Sequence, residues 1–131
     1  MSSRAKAKGT RWESDIVRYL NEALRPAGVL DGEAPDHAQR LVQTGVSDQG
    51  DIRVGRFILQ AKDQAAYDLS GAVDDARNQL AHYQLWHPTS DAAFSAAVIK
   101  RRRRGTAEGY VVMTLEQFAR LSNIVSARIT T

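Results

Sequence analysis

Asp51, followed by Gln60-Ala61-Lys62, sets a carboxylate, an amide oxygen and an ammonium within one short stretch. Phe57 to Lys62 reads as a strand, along which side chains alternate between faces. Gln60 and Lys62 therefore point one way, and Phe57, Leu59 and Ala61 the other. A strand buried on both faces should be apolar on both. Here two polar groups interrupt one face at its C-terminal end. Gly55-Arg56 closes a tight hairpin to a preceding strand, Asp51–Val54, which brings Asp51 to the same place. A hard cation such as Mg²⁺, or Mn²⁺ in its stead, takes oxygen ligands and retains several waters. Asp51 could supply a charged oxygen, Gln60 a neutral one and the Ala61 carbonyl a third. Lys62 could orient or deprotonate an attacking water and offset phosphate charge. The plainer reading is an edge hairpin whose polar groups are merely solvated. The apolar run before Gln60 and the paired Asp51 weigh against it.

The elements around this stretch follow from periodicity and turn residues. Trp12, Ile16, Leu20 and Leu24, widened by Val17, predict a helix over Thr10–Leu24, ended by Pro26 and Gly28. Arg40–Gln43 is a short strand candidate, and 44–50 a turn. A second helix over Ser70–Trp86 has the stripe Leu69, Val73, Ala76, Leu80 and Tyr83, and Pro88 stops it. Strands follow at Ala96–Lys100 and Tyr110–Met113. Thr114 then caps a third helix over Leu115–Leu121, with Gln117 in capping-box position. The tail Ile124–Ile129 stays open between a strand and an extension. Trp12 and Trp86 are expected in the core. The order α-β-β-β-α-β-β-α predicts an α/β fold, a central mixed β-sheet flanked by helices. Residues 1–9 read as a basic flexible N-terminus and residues 10–131 as one domain.

The 131 residues, 43% hydrophobic and 25% charged, suit one ordinary domain with a real core. No apolar run is long enough to span a bilayer, and the first eight residues lack the hydrophobic stretch of a secretory signal. The absence of cysteine excludes disulfides, thiolate metal sites and cysteine nucleophiles, and fits a cytoplasmic location. His37, His82 and His87 show no metal-ligand spacing. Net charge is only +3, but its distribution is uneven. Arg4, Lys6, Lys8 and Arg11 crowd one end, Lys100-Arg101-Arg102-Arg103-Arg104 form a run, and most acids lie between Asp31 and Asp75. A basic rim around an acidic centre suits a protein that grips a polyanion and keeps a cation in the middle. The alternative is a solvated surface with a loose basic tail.

Asp51 with Gln60-Ala61-Lys62 resembles the PD-(D/E)XK motif of restriction-endonuclease-like nucleases. Gly9-Thr10-Arg11-Trp12-Glu13 resembles the GxxxE helix that opens archaeal-type Holliday-junction resolvases and RecB-like nucleases. Gln79-Leu80-Ala81-His82-Tyr83 resembles the QxxxY motif of the RecB-like group, and Gly45 to Asp51 the Gly/Ser-rich approach to the motif aspartate in resolvases. The resemblance runs from about Gly9 to Tyr83. It implies a restriction-endonuclease-like fold and a Mg²⁺-dependent DNA endonuclease that hydrolyses phosphodiester bonds. Asp51, Gln60, the Ala61 carbonyl and Glu13 would hold the metal, Lys62 would serve the water, and Gln79 and Tyr83 would support the site. It further implies action on branched DNA by a homodimer, in a bacterial, archaeal or phage-infected cell. A RecB-like exonuclease or single-strand nuclease is the alternative within the family. Gln60 departs from the family's usual Glu or Asp and removes one negative charge. That leaves room for a DNA-binding module with a decayed site.

Two candidates have competing local explanations. Thr10-x-x-Glu13 is also a capping box, in which Glu13 would bond back to the Thr10 amide. Tyr83 could be plain core, with Gln79 exposed. Ser47, in the turn before Asp51, could bond a phosphate, although serine favours turns anyway. Lys8, Arg11 and the run Lys100–Arg104 are the expected DNA contacts, made to phosphates rather than to bases.

Overall fold

In the computed structural model, residues 3–30, 32, 36–41, 51–64, 66 and 68–130 are described, without the side chains of 3–8 and 127–130. The order among them is α1 (Ser3–Ala23), β1 (Ala38–Arg40), β2 (Ile52–Val54), β3 (Phe57–Lys62), α2 (Leu69–Trp86), β4 (Phe94–Ile99), a 3-10 turn (Thr106–Glu108), β5 (Tyr110–Val112) and α3 (Leu115–Thr130). The expected α/β order is present, with one added 3-10 turn.

The strands lie in one sheet in sequence order, β1-β2-β3-β4-β5. All neighbouring pairs are antiparallel except β3 and β4, which run parallel with α2 as the crossover. Gly55 has φ 54°, the left-handed position that the first central residue of a two-residue II′ turn needs, so the β2–β3 hairpin closes tightly. Phe94-Ser95-Ala96-Ala97-Val98-Ile99 is buried along its whole length, as befits a strand with neighbours on both sides.

Helices cover both faces. Trp12 and Ile16 of α1 pack with Ile52, Leu59, Ala96 and Val98. Tyr83 of α2 packs with Ile58 and Ala92 on the other face. Trp12 Nε1 donates to the Val98 carbonyl at 3.1 Å, which fastens α1 to β4. Gly109 lets the chain pass close by, since a Cβ there would lie 3.2 Å from the Trp12 ring. Asp68 caps α2 by accepting from the Gly71 amide at 3.0 Å. No helix among the described residues is long and apolar enough to cross a membrane.

Four expectations are corrected. α1 begins at Ser3 rather than Thr10. Alanine, lysine and arginine between Arg4 and Lys8 are strong helix formers, and one glycine at position 9 does not stop propagation. α3 continues to Thr130, so the tail after Ile124 is helical. Thr114 Oγ1 does cap α3, accepting from the Gln117 amide at 3.2 Å. The reciprocal half of the capping box is missing, because the Gln117 side chain turns to Ser95. It accepts from the Ser95 amide at 2.6 Å and donates to the Ser95 hydroxyl at 3.2 Å. β5 pairs with β4 only from Ala97 to Ile99, so Gln117 continues the edge where the strand has stopped. Trp12 is core as expected, but Trp86, in the last turn of α2, is 61% exposed.

Candidate active site

The β2–β3 hairpin brings Asp51 beside Gln60-Ala61-Lys62. The Asp51 amide donates to the Leu59 carbonyl at 3.1 Å, and the Leu41 amide donates to the Asp51 carbonyl at 2.9 Å. Asp51 is thus pinned to β3 on one side and to the end of β1 on the other. Its Oδ2 accepts from the Ala61 amide at 2.8 Å. The carboxylate is thereby aimed along β3, between Gln60 and Lys62. Ile58 faces α2 and Leu59 faces α1, so alternation sends Gln60 and Lys62 to the α2 face, as the strand pattern predicts.

Gln60 Oε1 is buried with no hydrogen-bond donor among the described residues. A buried amide oxygen without a partner costs free energy of about 1–3 kcal/mol, which a cation would offset. Lys62 Nζ lies 3.1 Å from Asp75 Oδ2 of α2. No group of three or more His, Asp or Glu among the described residues could hold a metal. An ion here would rest on the Asp51 carboxylate, the Gln60 amide oxygen and retained water. That donor set fits a hard, well-hydrated cation such as Mg²⁺ held loosely.

Glu13 stands on α1 next to β1. α1 packs on the face opposite Gln60 and Lys62, and Glu13 Oε2 lies 3.5 Å from Arg40 Nη2 of β1. Thr10 stands inside α1, so the capping-box explanation of Glu13 falls. Gln79 and Tyr83 do join the site's face, both buried. Asp75 meets Lys62 and Tyr83 packs on Ile58, so Gln79, between them on the same helical face, lies over the Gln60 stretch of β3. The plainer alternative, an exposed Gln79, does not hold. The Tyr83 hydroxyl accepts from Arg53 Nη1 at 2.7 Å, and the His87 ring stacks on it with centroids 4.2 Å apart. Arg53 also reaches Asp91 at 3.0 Å, which ties β2, α2 and the approach to β4 together.

Because β3 and β4 run parallel, their C-terminal ends coincide. The Lys100 amide donates to the Lys62 carbonyl at 3.0 Å. The basic run therefore starts beside the site, but its five members differ. Lys100 is held between Asp63, at 3.9 Å, and the Trp12 ring, 5.8 Å from its centroid. Arg101 lies over Tyr110 at 4.8 Å. Arg104 pairs with Glu108 at 3.3 Å across an exposed surface. Arg102 and Arg103 are exposed, and Arg103 takes a left-handed φ of 60° in the turn. Arg11 is exposed on α1. The side chain of Lys8 and the whole of Ser47 lie outside the described residues.

Sequence reasoning missed Asp75, Asp63 and Arg53. Asp75 was legible in principle, four residues before Gln79 and eight before Tyr83 on one helical face. Asp63 and Arg53 had no such signal, because their partners come from other elements.

Set against known proteins, the chain matches no family model, no curated protein and no solved structure.

Proposed function

We propose that this chain is a metal-dependent DNA endonuclease with a restriction-endonuclease-like core. What carries the reading is the pairing of Asp51 Oδ2 with the Ala61 amide, at 2.8 Å, beside a buried Gln60 Oε1 that lacks a donor. Gln60 and Lys62 share one face of β3, and the end of β3 adjoins the start of the arginine-rich run. Asp51 and Gln60 would hold Mg²⁺ or Mn²⁺, which would stabilise charge on the scissile phosphate and acidify a bound water. Lys62 would hold that water or the phosphate in place. Arg102 and Arg103 would meet the DNA backbone without reading bases. A homodimer would present two such sites to a branched substrate.

A second reading is a DNA-binding module that does not cut. Gln60 brings no charge to the cation, and Glu13 has Arg40 as an ion-pair partner at 3.5 Å. The test is a cleavage panel of four-way junction, flap, duplex and single-stranded DNA, with Mg²⁺ and with chelator. The expected outcome is metal-dependent cleavage, strongest on the junction. Binding without cleavage of any substrate would favour the second reading. Cleavage confined to single strands or ends would replace the junction preference with an exonuclease-type activity.

A further inference from the structure

Lys62 is a long flexible side chain, yet its ammonium has a fixed neighbour. Nζ sits 3.1 Å from Asp75 Oδ2, with the lysine side chain 17% exposed and the aspartate 56% exposed. An ion pair open to water on one side contributes little to stability. Its consequence is positional. The start of α2 is stabilised by the Asp68 cap, and the helix is fastened to the sheet by Tyr83, which packs on Ile58 and accepts from Arg53 at 2.7 Å. Asp75, on the same helical face as Tyr83, is therefore set at a fixed height over the end of β3. The adjacent strand repeats the device on the other face, where Asp63 lies 3.9 Å from Lys100. Two neighbouring strand-end lysines each have a carboxylate nearby, and of these two pairs only Lys62–Asp75 is at hydrogen-bond distance.

We infer that Asp75 is a positioning residue for Lys62, holding its ammonium beside Asp51 and Gln60. The contact stands on the geometry, and its consequence for cleavage rests on the nuclease reading. Without Asp75, the four rotatable bonds of Lys62 would let the ammonium sample solvent, and the charge would be absent from the reacting point for much of the time. The exposed carboxylate also sets a negative charge near the expected path of DNA, which opposes binding slightly.

The experiment compares wild type with Asp75→Asn and Asp75→Glu in the full chain, with melting temperatures as a check on folding. Nitrogen relaxation of the Lys62 ammonium reports its order without any substrate. The Asn variant should lose that order and the Glu variant should keep it. Cleavage kinetics on DNA should show kcat falling by roughly tenfold to a hundredfold in the Asn variant, as for a misplaced reacting group. KM should stay equal or fall, and Glu should restore kcat. Unchanged ammonium order in Asp75→Asn overturns the inference, and so does a change confined to KM. If wild type cleaves nothing, the nuclease reading falls by itself, and the relaxation data still support or overturn the positioning of Lys62.

Discussion

On the α1 face of the sheet, Trp12 and Ile16 meet Ile52, Leu59, Ala96 and Val98 in an apolar layer. On the α2 face the same hairpin carries Arg53, Ile58, Gln60 and Lys62 against Asp75, Gln79 and Tyr83. The first layer is held by burial, which is non-directional and roughly proportional to area. The second combines a smaller apolar cluster with a few directed contacts between polar groups, of which the buried ones are costly to leave unmade. Strand alternation alone separates the two, because one step from Leu59 to Gln60 crosses the sheet. Stability and chemistry can therefore be altered independently in one six-residue strand.

The largest expected effect lies on the polar face. Asp51→Ala and Lys62→Ala should abolish Mg²⁺-dependent cleavage, by at least about a hundredfold, while DNA binding changes little. The melting temperature should barely move in Lys62→Ala and fall modestly in Asp51→Ala, where the Ala61 amide loses its acceptor. Rate assays with binding titrations and thermal melts on the same preparations check this. Wild-type cleavage in either variant would remove the active-site assignment. A collapse of stability would instead show that the two faces are not separable. The converse substitution is Trp12→Ala. It removes a buried ring and the hydrogen bond to the Val98 carbonyl, and should cost about 3–5 kcal/mol in urea denaturation followed by circular dichroism. A cost under about 1 kcal/mol would mean that α1 is not the main cover of its face.

Much of this division was legible in the sequence. The bounds of β3 follow from an apolar run with polar residues at alternate positions, a signal confined to one element. The face shared by Gln60 and Lys62 follows from the same alternation. The start of α1 was hidden because Thr10 and Glu13 offer a good local cap, and nothing local says that the helix continues through Gly9. Local rules also hid the fate of Gln117, whose capping partner lost to the Ser95 amide left over where β5 ends. Trp86 defeated the hydrophobicity rule, since its place in the last turn of α2 lies beyond the strands the helix covers. The Glu13–Arg40 contact joins α1 to β1, a pairing across 27 positions that no local rule in the sequence shows. Of these, Gln117 is the clearest case of a side chain whose partner is distant in sequence.

The smallest expected effect falls on the basic run, where the comparison of faces can be sharpened residue by residue. Five like charges in sequence suggest five bound phosphates, but the structure divides them. Lys100 leans on Trp12 and Asp63, toward the α1 face. Arg101 rests on the Tyr110 ring, and Arg104 has Glu108. Arg102 and Arg103 are the exposed pair in the turn. Replacing Arg102 and Arg103 with Ser should weaken binding to junction and linear duplex by similar factors. The log-log salt slope should flatten by about 0.9 for each phosphate that the turn no longer neutralises. Arg101→Ser should flatten it less, because that guanidinium is engaged with an aromatic ring in the free protein. Binding titrations at several salt concentrations on both DNAs measure this. A slope untouched by the double substitution would mean that the turn never meets DNA. Weakening restricted to the junction would mean that the turn senses branched structure, and that recognition does not come from the dimer's shape alone.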